Sequence, residues 1–352
     1  MGAMTLDRAL NELPKVELHC HVEGTMRPGT VLELAAQNGV PLPTTDLDDL
    51  YRYGSLDEFL TIFWLVQACL HRREDWARLA YESVIDGAAH GRVYAETFFT
   101  PARHLADGQR LADVVAGLAD GIEAAEAETG ARCLLIADMD KAFGPQAGLE
   151  LVEGVIDLRR TGARGAERII GLGMDSTELG VDPRSFAPAY RAARSAGLRL
   201  TAHQGEDTGP ETIAACIDVL GTQRIDHGLS LMRDADLVHR FASERIPLTV
   251  CPTSNIVIAN HVATLAEHPF ASMRAAGVLA MLNTDDPAMT NLDLGREYGN
   301  VAAAYGWGFD EMVKVAHDGV EATWLDDADK TALNNLLDER AGELRSALAG
   351  AG

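Results

Sequence analysis

The chain has 352 residues, of which 47% are hydrophobic and 24% charged, and it carries a formal net charge of −23 at pH 7. This is the composition of a chain that buries a core, and its acidity argues against nucleic acid and anionic membrane surfaces as partners, because both require a basic face. The sequence contains no apolar run of the roughly 18 residues that a membrane-spanning helix needs.

The cysteines and the first residues indicate a compartment. Five cysteines are scattered without a Cys-x-x-Cys pair, and an odd, dispersed set argues against a disulfide framework. The opening "MGAMTLDRAL" lacks the basic region and apolar core of a secretory signal. We therefore predict a cytoplasmic protein, and the sequence carries no signature of its oligomeric state.

Eight short apolar segments have the composition of β-strands. They are residues 15–19, 93–99, 133–139, 169–174, 198–203, 224–227, 246–251 and 278–284. Segments with helical periodicity lie between most of them, such as 111–128, 186–197 and 210–221. This alternation predicts a parallel sheet with crossover helices.

Eight strand and helix repeats are the number that closes a barrel. An open doubly wound sheet is the alternative, but it would place G-x-G-x-x-G after an early strand, and the turn here reads "HCHVEGTMRPG". We therefore predict an α/β fold, a (β/α)8 TIM barrel, as a single domain over residues 1–352.

The segment from about residue 27 to 91 is too long for one crossover helix. We expect two or three extra helices inserted after the first strand. Insertions at the carboxyl ends of barrel strands build active sites, so the apolar run "FLTIFWLV" can form a lid or simply pack in the core. The sequence leaves both interpretations open.

The stretch "VELHCHVEG", residues 16–24, places His19 and His21 two residues apart at the end of the first strand. Side chains at this spacing share a strand face, so both can reach one ion, although the pair alone is weak evidence. Other histidines, His268 among them, are scattered over predicted loops and helix faces. Further metal-binding or proton-transferring residues end later predicted strands: His203, His227, Asp285 and Asp286.

A barrel brings the carboxyl ends of all its strands to one rim, where catalytic residues gather. Imidazoles with one carboxylate suit Zn²⁺ or a similar divalent ion, and an open position for water makes such a site catalytic. Because Asp285 and Asp286 are adjacent, their side chains diverge. We expect one to face the metal and the other the substrate, which avoids competition between like charges.

A hydrolytic metal site also needs a group that moves protons. Glu206 follows His203 by three residues and can face the metal without binding it, as a general acid and base. Its alternative role is an acidic residue at a helix N-terminus. His227 can hydrogen-bond the reacting water, or it can be a buried structural histidine.

Five segments carry a resemblance to a known family. In order they are "PKVELHCHVEGT", "AHQGE", "RIDHG", "VCPTSN" and "LNTDDPAM", and over about residues 12–340 the chain resembles the adenosine and adenine deaminase family of amidohydrolase barrels. The resemblance implies one zinc ion per chain, with Glu206 as proton shuttle to the purine nitrogen N1. It also implies that His227 orients the attacking hydroxide and that Asp286 hydrogen-bonds N7. The implied zinc ligands are His19, His21, His203 and Asp285.

The implied reaction replaces the amino group at C6 of a small-molecule 6-aminopurine by oxygen and releases ammonia. Two other metal chemistries fit less well. "GLGMDSTE" offers no lysine to bridge two metals, and the P-C-x-x-C element that must follow H-x-E in cytidine deaminases is absent from the sequence.

Several positions depart from the family pattern near the substrate. Glu23 stands where members that act on adenosine usually have aspartate toward the ribose 5′-hydroxyl. Ser176 stands where those enzymes have a glycine whose amide meets N3, and Gln204 replaces a small residue. We expect Glu23 and Ser176, with Asp286, to bind substrate.

The motifs do not agree on the substrate. "EGT" and "AEHP" resemble the adenine-deaminating branch, whereas "MTNLDLGREY" is closer to the nucleoside branch. We expect a 6-aminopurine nucleoside, either adenosine or a modified adenosine such as 6-aminodeoxyfutalosine, with free adenine as the alternative.

Overall fold

The computed structural model describes residues 3–52, 56–258 and 262–350. All eight predicted strands are present, and the fifth is divided in two. The strands are β1 Lys15–Glu17, β2 Arg92–Phe99, β3 Arg132–Asp140, β4 Ile169–Asp175, β5 Arg199–Leu200, β6 His203–Gln204, β7 Ile225–His227, β8 Leu248–Val250 and β9 Ala280–Leu282.

Helices surround these strands. They are α1 Leu6–Glu12, α2 Pro28–Asn38, α3 Leu47–Leu50, α4 Leu56–Ala68, α5 Arg73–Ala89, α6 Ala102–Ala106, α7 Leu111–Thr129, α8 Gly144–Thr161, α9 Ala187–Ser195, α10 Pro210–Ala215, α11 Ala235–Glu244, α12 Pro252–Val257, α13 Phe270–Ala275, α14 Leu294–Tyr305, α15 Phe309–Ala322 and α16 Asp327–Ala349. The predicted helix 210–221 is α10 continued by a π turn, Cys216–Leu220, and it ends at Gly221 with φ of 68°.

The strands are parallel and follow chain order, β1 to β5 in one sheet and β6 to β9 in a second. Backbone hydrogen bonds join the sheets at both seams. Gln223 N, just before β7, donates to Leu200 O of β5 (2.8 Å), and His21 N, beyond β1, donates to Asp285 O, beyond β9 (2.9 Å). The predicted (β/α)8 TIM barrel is confirmed.

The insertion after β1 contains α2, α3 and α4, and α5 is the crossover helix that packs on β2. The expectation of two or three extra helices is therefore confirmed. Helix α4 contacts the 3-10 turn Glu23–Thr25 that follows His21. Its Phe59 and Val66 are buried, whereas Trp64 is 41% exposed. The apolar run thus packs beside the barrel mouth, and its role as a lid stays a prediction.

The main hydrophobic core lies between the helices and the outer face of the barrel. A second, smaller cluster around Val16, Tyr94 and Met281 fills the barrel near the amino ends of the strands. Within the three described ranges, no helix is both long enough and apolar enough to cross a membrane.

A buried ion pair fixes the strand that carries His227. Arg224, just before β7, is fully buried, and its Nη1 donates to Glu96 Oε2 at 2.8 Å. The guanidinium also lies 3.9 Å from the ring centroid of Trp324. Removing either charge would leave the other buried and unpaired.

We predict that Arg224→Ala lowers the free energy of unfolding by about 3–5 kcal/mol, because Glu96 would become an uncompensated buried charge. Urea denaturation followed by circular dichroism measures the change. Arg160→Ala, which removes an exposed pair with Asp157, should cost less than about 1 kcal/mol. Equal effects of the two substitutions would contradict this account.

Candidate active site

The barrel brings four of the predicted residues to one point. One ligand atom from each lies within 4.8 Å of the others, and all four residues are buried. His21 Nε2 is 3.0 Å from His203 Nε2, and His19 Nε2 is 3.2 Å from Asp285 Oδ1. The four residues are His19, His21, His203 and Asp285.

His19 is oriented through its other ring nitrogen. Its Nδ1 lies 3.1 Å from Thr249 Oγ1 and 3.2 Å from the Thr249 carbonyl oxygen. The Thr249 hydroxyl donates to Asp226 Oδ1 (2.6 Å), so toward His19 it can only accept. Nδ1 therefore carries the proton, and Nε2 presents its lone pair to the cluster.

His203 is held in the same way, since its Nδ1 donates to the Met174 carbonyl oxygen at 3.1 Å. His21 differs. Its Nδ1 is 3.9 Å from Asp175 Oδ2, beyond hydrogen-bond distance, and the Thr100 hydroxyl donates to that oxygen at 2.6 Å. Two of the three imidazoles thus have a fixed tautomer that frees Nε2.

Asp285 is placed by its backbone as well as by its side chain. Its N–H donates to His19 O (3.1 Å), and the Ser254 hydroxyl donates to its Oδ2 (2.6 Å). Asp285, His227 and Ser176 have φ of 65°, 63° and 69°. Such left-handed conformations cost non-glycine residues about 1–3 kcal/mol each, and they cluster at functional sites.

The donor set fits a divalent cation. Lone pairs of imidazole and carboxylate converge, and among the described residues His19 Nε2 has no hydrogen-bond partner. Although burial opposes ionisation, the charges of His19 and the nearby histidines hold the pKa of Asp285 below its usual range. Three imidazoles and one carboxylate are donors that zinc accepts.

A second grouping in the same place consists of His19, His227, Cys251 and Asp285. Burial, and then the nearby Asp285 carboxylate, raise the pKa of the Cys251 thiol well above its usual value. A metal ligand must be a thiolate, so the set with His21 and His203 is the better metal site.

Beside the cluster, Glu206 and His227 face each other with 3.6 Å between Oε2 and Nε2. Burial, and then the charges of Asp285 and Glu178, raise the pKa of Glu206 well above its usual range. Burial lowers the pKa of His227, which favours the neutral imidazole. A carboxyl group that can hold a proton near neutral pH therefore lies next to the metal site.

Two further residues complete this arrangement. Asn255 Nδ2 donates to Glu206 Oε1 at 2.6 Å and lies 3.1 Å from His227 Nδ1. His268 Nε2 lies 3.2 Å from Asn255 Oδ1. Asn255 ends the "VCPTSN" segment, so the family motif is the sequence signal that points to it. His268, one of the histidines that the sequence places on loops and helix faces, therefore reaches the site through Asn255.

The expected substrate-binding residues lie close by. The Glu23 side chain is fully buried, and its Oε1 accepts the Thr100 N–H (2.9 Å). In the part of the chain that the structure describes, Glu23 Oε2 and Asp286 Oδ1 have no hydrogen-bond partner. Burial raises the pKa of Glu23 to about 7. Gly24 leaves the space that Asp286 occupies, since a Cβ there would lie 1.8 Å from Asp286 Oδ1.

The chain is similar to known proteins over almost its whole length. The family model for adenosine deaminase matches residues 14–340. The adenine deaminase of Streptomyces coelicolor is 36% identical over 336 residues, which covers 95% of this chain and 96% of the relative. The solved structure of adenine deaminase from Arthrobacter aurescens has a TM-score of 0.87 and 32% identity, covering 93% of this chain and 98% of that one. An amidohydrolase of Burkholderia ambifaria with bound zinc has a TM-score of 0.89 and 28% identity, covering 99% and 98%.

We predict that Asp285→Ala and His203→Ala each abolish stoichiometric metal binding. Even the loss of outer partners of a metal ligand costs about 10–100-fold in affinity, so the loss of a ligand should cost more. Elemental analysis of protein loaded with zinc and then desalted measures the ion per chain. His239→Ala, at an exposed histidine on α11, is the control and should keep one zinc; retention of zinc by Asp285→Ala would refute the assignment.

Proposed function

Because the chain belongs to the adenosine deaminase family, we propose that it converts free adenine and water to hypoxanthine and ammonia. Purine deamination is common to its named relatives. The sequence placed a nucleoside first and the free base second, and relatives named adenine deaminases favour the second. The observation that carries the proposal is the buried Oε2 of Glu23 near the metal site, which has no hydrogen-bond partner among the described residues.

The four-residue cluster would hold one zinc ion per chain. When bound, the ion activates a water molecule as the nucleophile for C6. Glu206 takes a proton from this water and delivers it to N1 of the ring, which makes C6 more electrophilic. Asn255 holds Oε1 of Glu206 at 2.6 Å, so Oε2 is the oxygen that exchanges the proton.

His227 acts as a neutral hydrogen-bonding group. Its Nε2 lies 3.6 Å from Glu206 Oε2, so both groups can contact the same attacking water. Because its pKa is lowered by burial, His227 can orient this water without taking the proton. Addition at C6 gives a tetrahedral carbon that carries both oxygen and the amino group. When that carbon collapses, Glu206 passes the remaining hydroxyl proton to the amino group, which leaves as ammonia, and the ring keeps the oxygen as hypoxanthine.

The choice between base and nucleoside depends on the N9 edge of the purine. Free adenine carries an N9–H donor, whereas a nucleoside has a carbon there. We assign Glu23 Oε2 to this donor, because it is a buried acceptor that lacks a partner among the described residues. A site built to hydrogen-bond an N–H discriminates strongly against an analogue without it, since the buried acceptor is then left unpaired.

Two further contacts orient the ring in this proposal. The Ser176 amide meets N3, supported by the left-handed backbone at this residue. Asp286 meets N7 as a neutral acid, since burial and then the charge of Asp285 raise its pKa well above the usual range. Together with Glu23 and Glu206 these groups contact all four ring nitrogens.

We also propose that the protein acts in the cytoplasm as a single domain. All five cysteines carry free, buried thiols, which suits a reducing compartment. The family match over residues 14–340 supports one functional unit.

We predict that Glu206→Gln loses a factor of about 10²–10⁴ in kcat on its substrate while keeping one zinc per chain, because the amide cannot shuttle a proton. Ammonia release and elemental analysis measure the two quantities on the same preparation. Wild-type turnover by this variant would remove Glu206 from the mechanism.

For substrate choice we predict that kcat/KM is at least about 100-fold higher for adenine than for adenosine, 2′-deoxyadenosine or 6-aminodeoxyfutalosine. Ultraviolet absorbance follows each conversion. Glu23→Asp, which withdraws the acceptor by one methylene, should narrow the preference, whereas Glu153→Asp at an exposed site on α8 should leave it unchanged. A preference for any nucleoside would overturn the free-base assignment.

A further inference from the structure

The loop after β4 carries a carboxylate that lies outside the metal cluster. Glu178 is only 3% exposed, and its two oxygens accept hydrogen bonds from Gln204, Gly205, Glu206 and Thr208. We infer that Glu178 is a positioning residue that fixes the turn bearing Glu206 for proton transfer. This inference rests on the proposed role of Glu206.

Three of the donors are backbone amides of the turn itself. Gly205 N and Thr208 N donate to Glu178 Oε2 at 3.0 and 3.1 Å, and Glu206 N donates to Oε1 at 3.0 Å. These residues have left β6 and have not yet entered α10, so no strand or helix ladder supplies partners for their amides. Hydrogen bonds to a charged acceptor are the stronger kind, and here they define the backbone of the turn.

Side chains reinforce the same carboxylate. Gln204 Nε2 lies 3.1 Å from Glu178 Oε2, 2.8 Å from Thr208 Oγ1 and 3.0 Å from Thr212 Oγ1, and the Thr208 hydroxyl also donates to Glu178. This gives a reason for Gln204, which departs from the small residue of the family. Its amide links the turn to α10 through Thr212.

Glu206 is thus held from two sides. Glu178 fixes its backbone, and Asn255 fixes its carboxyl group. The turn also requires a glycine, because Gly205 has φ of 82° and a Cβ there would lie 2.4 Å from Ile213 Cδ1. A misplacement of about 1 Å can cost roughly 100-fold in rate, so loss of Glu178 should reduce turnover more than binding.

Glu178→Gln tests the positioning role of Glu178. The substitution keeps the side-chain shape but replaces one acceptor oxygen by an NH2 group, which would face the N–H donors of the turn. We expect kcat to fall about 10–100-fold, with KM within about threefold and one zinc per chain retained. Glu211→Gln, at an exposed glutamate in the first turn of α10, is the matched control and should match wild type. Wild-type kcat in Glu178→Gln would overturn the inference.

The double variant Glu178→Gln with Glu206→Gln separates positioning from general damage. If Glu178 acts through Glu206, the double variant is no slower than Glu206→Gln alone, because coupled residues are not additive. A further 10–100-fold loss would overturn the inference.

Gln204→Ala is the second variant, used if Glu178→Gln does not fold. It removes a neutral part of the same network and should lower kcat several-fold with KM and zinc content unchanged. No change in kcat would count against the inference.

All rates are measured on whichever compound the wild type converts best among adenine, adenosine, 2′-deoxyadenosine and 6-aminodeoxyfutalosine. Failure on adenine therefore corrects the proposed substrate, while the Glu178 comparison still decides the positioning role.

Discussion

The structure depends on how the barrel limits the repulsion between the carboxyl groups that it buries around the site. Among the described residues, at least eight carboxyl groups lie in or next to the site, and burial is the main reason that four of them, on Asp138, Asp175, Glu206 and Asp286, have pKa values well above the usual range. Lys141 is the basic side chain whose charge acts on Asp138 and Asp175. The eight residues are Glu23, Asp138, Asp175, Glu178, Glu206, Asp226, Asp285 and Asp286.

The groups that orient these carboxyls are mostly neutral. Hydroxyls of Thr201 and Thr249 donate to Asp226, and the Thr100 hydroxyl donates to Asp175. A hydroxyl or an amide satisfies one lone pair without adding a positive charge, whereas an arginine in the same place would repel a divalent ion. The site can thus hold its acids in place and still attract the cation that relieves their repulsion.

The catalytic skeleton could be predicted from sequence because it depends on a short-range pattern. His19 and His21 share a strand face, and the other metal-site residues end strands of a parallel barrel, so periodicity places them at one rim. The family resemblance then implied which four of them bind the metal. The contacts of Glu178 and Asn255 with Glu206 could not be predicted, because these residues lie 28 and 49 positions from Glu206 in the sequence. Nor does a pattern of apolar residues reveal that the fifth strand is divided at Thr201 and Ala202, where the two sheets meet.

The left-handed backbones of Ser176, His227 and Asp285 bear on how such a protein can change over evolutionary time. Glycine at any of these positions would relieve the backbone strain, yet it would delete a side chain from the site or loosen its setting. The three residues therefore carry a cost in stability that the site requires. A lineage that retains the three residues through adaptation to hot environments must find its added stability elsewhere, in the helices and the surface.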